Sequence, residues 1–175
     1  MADLTFNTPS GQTVDRELLI AYLNTGTSAI PVWSPIGKRV TDSSEEIDWS
    51  GETTTDILGN NYTDLKKPVI TQNFDPLPLD GGDSAIVKLW NLAIKEHDRS
   101  ALASQDMLIV HLYAGTSGSA MFAERYSSCA VTVSSLGGEG GGSLGMPLEV
   151  TYGGVRTKGT AAKDASTGAI TFTPD

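Results

Sequence analysis

Glu45, Glu46 and Asp48 place three carboxylates within four positions, close enough in type and spacing to pair as a general acid and base. They belong to a longer acidic stretch, however, and carboxylates in such a run are ordinarily solvated. Ser127-Ser128-Cys129 supplies nucleophile types with no histidine nearby in sequence, so Cys129 reads as a small buried hydrophobe. His111 lies in an apolar segment, where a hydrogen-bonded structural role is expected before a catalytic one. Gly137 to Gly142 contains no Lys-Ser/Thr step and is therefore no phosphate cradle. Trp33, Trp49 and Trp90 could stack on a sugar, yet Trp90 falls on the apolar face of a helix and reads as core. One cysteine and two histidines exclude an internal disulfide and a Cys/His zinc set, and Asp42 to Asp56 lacks the spacing of a calcium loop. The expectation is a protein without cofactor, metal or catalytic residues.

The acidic stretch is the strongest signal that remains. Asp42, Glu45, Glu46, Asp48, Glu52 and Asp56 stand without a lysine or arginine among them, in a chain of 175 residues with 12 basic against 21 acidic side chains, a net charge of −9. That balance opposes ordinary nucleic-acid binding, which gains affinity by neutralising phosphates. The length suits a single domain, 1–175, able to bury a core, and 39% hydrophobic residues argue for a folded chain. The first residues lack a basic-then-apolar leader pattern and no run approaches a membrane span, so the chain reads as soluble and made in a cytoplasm. In that setting the Asn61-Tyr62-Thr63 glycosylation sequon is accidental.

The elements that must position these residues are mostly strands. Nineteen glycines with abundant Thr, Ser and Val favour strands and turns over helices. Glu17 to Asn24 is expected to pair with the proline-marked segment Ile30 to Trp33 across a turn at Thr25 to Ser28. Asp42 to Asp56 and Tyr62 to Asn73 flank Gly59-Asn60-Asn61, which predicts a long hairpin over 42–74 with one acidic arm, ended by Asp75-Pro76. One helix is expected over Asp83 to Asp98, capped by Asp83, with Ile86, Leu89, Trp90, Ala93 and Ile94 on a single apolar face. Strands follow at Met107 to Ala114, Met121 to Ser135, Pro147 to Tyr152, Val155 to Ala161 and Ala169 to Thr173. The glycine-rich stretch 137–145 must be loop. The fold class is mainly β (α+β): a β-barrel or sandwich with one amphipathic helix packed on its flank.

In this order the segments resemble a known family. Arg16-Glu17-Leu18-Leu19-Ile20-Ala21-Tyr22-Leu23-Asn24-Thr25-Gly26 and Pro31-Val32-Trp33-Ser34-Pro35-Ile36-Gly37-Lys38-Arg39-Val40 look like the opening of tail tube (major tail) proteins of long-tailed bacteriophages. Glu45-Glu46-Ile47-Asp48, then Thr54-Thr55-Asp56-Ile57-Leu58-Gly59, Lys66-Lys67-Pro68 and Asp75-Pro76 continue the pattern. The resemblance implies a non-enzymatic virion protein that forms hexameric rings stacked into a hollow tube around a tape-measure protein. A tail terminator and baseplate or tip proteins are its further partners, and the genome later passes through without specific binding. Residues 42 to 73 would correspond to the inner-sheet hairpin and stacking loop, and 83 to 98 to the outer helix. The N-terminal arm 1–15 and the loop 137–145 match least.

The charge pattern agrees with a tube, because a basic bore would hold DNA at every turn whereas rings of carboxylates would let it pass. Asp42, Glu45, Glu46, Asp48, Glu52 and Asp56 are therefore the expected lumen lining, the alternative being a solvated outer face. Met107 to Ala114 has no charge to protect an edge and is either paired between subunits or central. Leu4, Phe6, Ile170 and Phe172 place apolar groups near the chain ends, where they could dock on neighbours. A β-sandwich binding module for carbohydrate or adhesion is the competing function, and an acidic hydrolase a distant third.

Overall fold

The computed structural model describes residues 4–175. Its strands are β1 Leu19–Asn24, β2 Trp33–Pro35, β3 Glu45–Asp48, β4 Glu52–Thr55, β5 Asn61–Asp64, β6 Val69–Phe74, β7 Gln105–Thr116, β8 Ala120–Val133, β9 Leu148–Tyr152, β10 Arg156–Lys163 and β11 Ile170–Pro174. A 3₁₀ turn, Arg16–Leu18, precedes β1 where strand was expected. Helix α1, Ser84–Trp90, continues as a π-turn over Asn91–Lys95, and a short α2 spans Arg99–Leu102.

Strand β8 belongs to two layers. Its first half pairs with β7 on one side and β10 on the other, whereas Ala130–Val133 pairs only with β9. One layer therefore runs β2-β1-β7-β8-β10-β11 and the other β8-β9-β6-β3, all antiparallel. The corner lies where the β7–β8 register slips by one residue, a bulge at Ser127-Ser128, opposite Gly153-Gly154 between β9 and β10. Only glycine fits there. A Cβ on Gly153 would stand 2.7 Å from the Ser128 carbonyl oxygen, and Gly154 has φ +75° with the Ser127 and Ser128 side chains 2.8 Å from its own missing Cβ.

Two cores follow from the two layers. Tyr22, Trp33, Leu108, Val110, Met121, Ala123, Ala161 and Ile170 come from β1, β2, β7, β8, β10 and β11 with no helix among them, so the first layer curls around them like a barrel wall. The second core, with Leu23, Phe74, Leu89, Met107, Ile109, Val131, Val150 and Tyr152, fills the space between the layers and under α1. Strand β7 is consequently central, between β1 and β8, and offers no free edge for a neighbour.

Asp83 caps α1 by accepting hydrogen bonds from the amides of Ala85 and Ile86. Ile86 and Leu89 are buried, while Trp90, Ala93 and Ile94 are half-buried. The expected helix over 83–98 is thus shorter and irregular, with a π-turn in its second half, while Trp90 and Ile94 still pack against the same core as Ile86 and Leu89. His97, at φ +51°, breaks the chain direction, and Asp98 caps α2. Lys88 on α1 reaches back to donate to the Asn24 carbonyl at 2.6 Å, tying the helix to the end of β1.

The chain ends are occupied within the subunit. Ile170 is buried in the curled core, which corrects its assignment as an inter-subunit docking group, and the half-buried Phe172 packs against the same core, because β11 lays both side chains on the inner side of the first layer. Near the other end, the Asn7 amide donates to the Tyr113 carbonyl at 2.8 Å and Phe6 meets the Tyr113 ring edge-on at 5.0 Å. Leu4 and Phe6 nevertheless keep exposed surface. Residues 1–3 of the expected arm lie outside the described residues.

Gly159 lets β11 approach: a Cβ there would sit 2.2 Å from the Thr173 carbonyl oxygen and 2.8 Å from the Phe172 ring. Gly159→Val is expected to lower unfolding stability by about 1–3 kcal/mol in chemical denaturation. Gly81→Ala, which meets no atom within 4 Å, should stay within about 0.5 kcal/mol of the parent.

Candidate functional site: an acidic sheet face and its hairpin arm

The second layer turns one face to the core and one to solvent, and strand register tells which residue goes where. Gln72, paired with Glu45 on one side and Val150 on the other, is buried, as are Val150 and its partner Val131. Residues in register share a face. Glu45 therefore points inward, with Gln72, Val150 and Val131. The alternate set points outward: Glu46, Thr71, Thr151 and Ala130 along one row, Asn73, Glu149 and Thr132 along the next, and Asp48 beside Val69. A bridge between Asp42 and Asp75 continues the β3–β6 ladder in the same phase and sets two carboxylates directly opposite each other. That face thus bears Asp42, Glu46, Asp48, Asp75 and Glu149, and no lysine or arginine occupies a paired position on it.

The six expected carboxylates divide into different roles. Glu45 is removed from the strip by the pleat, since neighbours along a strand face opposite ways. Glu52 lies beyond β3 on β4 and has a base across the hairpin, with Lys66 Nζ 3.4 Å from its Oε2, so the stretch is not wholly uncompensated. Asp56 staples the β4–β5 turn: it accepts from the amides of Leu58 and Asn60 at 2.8 Å, from the Asn60 side chain and from the Tyr62 hydroxyl. Those hydrogen bonds, Asn60 first, hold its carboxyl below the ordinary carboxylate range. Asp42, Glu46 and Asp48 remain on the outward face. Glu149 and Asp75 joined them without being expected, because the first is isolated in an apolar strand and the second reads as a strand terminator; only register brings them there.

Beyond β3 and β6 the hairpin continues as a projecting arm. Strands β4 and β5 pair with each other alone, and every one of their residues is exposed. The Lys66 amide donates to the Trp49 carbonyl at 3.0 Å, and Thr53 and Thr63 share a hydroxyl contact at 2.8 Å, so the arm is ordered by its own cross-strand bonds. It carries apolar side chains that bury little: Trp49, Leu58, Tyr62 and Leu65 are exposed, and Ile57 at the tip is fully so, at 102%. A lone subunit gains nothing from such a tip.

Between the layers, beside Glu45, lies a polar cluster. Glu124 accepts from the Tyr126 hydroxyl and from Arg156 Nε, both at 2.7 Å, and His111 Nε2 stands 3.6 Å from its other oxygen. Although burial alone would raise it, the nearby His111 imidazole and the hydrogen bonds from Arg156 and Tyr126 hold the Glu124 carboxyl far below the ordinary range. His111 thus serves as part of this cluster, with Nδ1 2.9 Å from the Tyr113 hydroxyl. Cys129 is buried and its thiol is pushed up to about 11 by burial. The three tryptophans form no common platform: Trp33 lies in the curled core under Arg125, Trp90 ends α1 and packs on the other core, and Trp49 is on the arm. Among the described residues no group of three His, Cys, Asp or Glu could hold a metal ion, and no helix is long and apolar enough to cross a membrane.

Comparison with solved structures places this arrangement. The tube-terminating cap of the anti-feeding prophage superposes with a TM-score of 0.52 at 14% sequence identity, covering 89% of this chain and 96% of that one. The fold is the one this cap adopts. A chain from the extended sheath–tube complex of an extracellular contractile injection system also aligns, with a TM-score of 0.49, 11% identity and coverage of 86% and 94%. No protein-family model and no curated protein sequence matches the chain.

Because the folded Glu124 carboxyl is depressed, its stabilisation is full above its unfolded pKa and is lost as pH falls through the lower folded value. Glu124→Gln is therefore expected to melt below the parent at pH 7, with the gap narrowing as pH drops from 5 towards 2 in thermal denaturation.

Proposed function

We propose that the chain is a structural subunit of a phage-like tail, joining edge to edge into rings that stack as a hollow tube. The observation that carries this reading is the second layer: a sheet with two open edges and an outer face on which every charged group at a paired position is acidic. Strand β3 has β6 on one side only, and Ala130–Val133 of β8 has β9 on one side only. Joining the first edge of one copy to the second edge of the next is a heterologous contact, which closes into a ring when the rotation permits. In such a ring the acidic faces line the bore, and Asp42, Glu46, Asp48, Asp75 and Glu149 repel a passing polyanion from every subunit.

The arm supports the same reading from a different side. Ile57, Leu58 and Tyr62 are apolar groups held out on an ordered hairpin, suited to docking on a copy in the next ring. The resemblance to tail tube proteins adds six copies per ring, a tape-measure protein inside during assembly, and tail terminator and baseplate or tip proteins at the ends. It also adds assembly in a host cytoplasm, residence in the virion tail and passage of the genome through the bore. The likeness to a tube-terminating cap favours one second reading, a ring that ends such a tube rather than repeating along it. Neither role calls for catalysis.

Negative-stain microscopy and light scattering of the concentrated protein test this directly: rings growing into tubes are expected of a tube subunit, and rings that do not stack of a cap. A compact monomer at every concentration would overturn both readings. A triple variant, Glu46→Lys with Asp48→Lys and Glu149→Lys, is expected to fold and assemble, because these positions are exposed. Its assemblies should retain short duplex DNA in a salt-sensitive manner while the parent does not. DNA retention by the parent would contradict a repulsive bore.

A further inference from the structure

The pleat that removes Glu45 from the acidic face leaves it in an unusual position. Its Oε1 is buried between the layers, and among the described residues no hydrogen-bond partner reaches it. Its strand, β3, is held by β6 alone and forms the root from which the arm projects. Donors nearby are already committed. On β8, Glu124 takes the Tyr126 hydroxyl and Arg156 of β10. On β9, Tyr152 gives its hydroxyl to Gln72 of β6 at 2.6 Å. Arg16, in the 3₁₀ turn, directs its guanidinium at the carbonyls of Ser43 and Leu19. His111 and Tyr113 of β7 bond to each other, with the imidazole turned to Glu124.

When Glu45 is ionised its buried Oε1 has no donor among the described residues and its charge meets that of Glu124, whereas a protonated carboxyl is neutral and sits in the gap at lower cost. We propose that Glu45 is a proton-operated latch at the root of the hairpin: neutral, it lets β3 seat against the first layer; ionised, it loosens β3 and the arm behind it. Strand β3 is also the edge used for ring closure in the function proposed above. The latch thereby makes assembly depend on acidity, a consequence that rests on that reading, while the latch itself does not.

The sign follows from the surroundings. Burial pushes the Glu45 carboxyl above the ordinary range; His111 and Arg16 pull it back and Glu124 adds to the rise. A carboxyl raised in the folded state contributes stability that is full below its unfolded pKa and is lost as pH rises through the folded value. Glu124 has the opposite sign and matters only on strong acidification. Arg16 and Arg156 keep their charge throughout, and burial pushes the hydroxyls of Tyr113, Tyr126 and Tyr152 upward, so they stay neutral. His111 also faces Glu45, and the test separates the two.

Hydrogen exchange at the β3 amides that bond to β6, in the dilute protein and corrected for intrinsic chemistry, is compared at pH 5 and pH 8. The parent is expected to open β3 more readily at pH 8, by roughly tenfold for each unit by which the folded pKa exceeds the unfolded one. Glu45→Gln, and Glu45→Met as a second variant that needs no donor, should abolish the difference, and His111→Gln should retain it. The proposal is overturned if both Glu45 variants keep the parent's pH dependence, or if only His111→Gln loses it. Light scattering then addresses the consequence: assembly of the parent should vary with pH and that of Glu45→Gln should not. A latch seen by exchange with assembly indifferent to pH would keep the latch and remove its link to ring closure.

Discussion

The alternation of side chains along β3, β6, β9 and the end of β8 governs the rest of the structure. One row of residues packs against the first layer and α1, and the row between them is left in water. Because each strand keeps its register, the inner row is mostly apolar, with Gln72 and Glu45 its polar members, while the outer row collects carboxylates from chain segments as distant as Asp42 and Glu149. The corner at β8 makes this possible. It lets one strand serve a curled layer and a flatter one, and the close approach of Gly153-Gly154 to Ser127-Ser128 is what allows the backbone to turn there.

An acidic face of this kind has a cost for an isolated subunit. Like charges directly opposite on a ladder, as at Asp42 and Asp75, repel one another. Charged positions on β3 also discourage casual edge pairing, so Glu46 and Asp48 protect an edge that would otherwise aggregate. The apolar tip of the arm carries the opposite hazard. Both features make sense where the face surrounds a bore and the tip is covered by another copy, and neither helps a solitary domain. The inward Glu45 belongs to the same economy of strand register: moving one residue along β3 changes a solvated carboxylate into a buried one without partners.

Much of this was legible in the sequence. The glycine punctuation, the Asp83 cap and the β-rich composition pointed to the layered fold with a flanking helix, and Gly59-Asn60-Asn61 lies at the reversal of the arm. The inward packing of Ile170 and Phe172 was not legible, because nothing local tells a strand paired to the sheet from a free tail; pairing with β10 decides it. The π-turn after Trp90 was not legible either, since the same apolar spacing is compatible with a regular helix. The acidic strip was half legible: its charge was plain, but assigning Glu45 outward ignored the period of two, and Glu149 and Asp75 enter only through long-range pairing. Lys66 escaped notice as the partner of Glu52 because the two meet across the hairpin rather than along it.

The direction in which the acidic face points is best tested by thiol accessibility in the assembled protein. Glu149→Cys marks that face and Val87→Cys marks the exposed side of α1, with native Cys129 buried and silent. A small maleimide is expected to label both positions in assemblies, and a bulky polymer-linked maleimide only Val87→Cys. Equal labelling of Glu149→Cys by the bulky reagent would put the carboxylates on the exterior and contradict a bore lined by them.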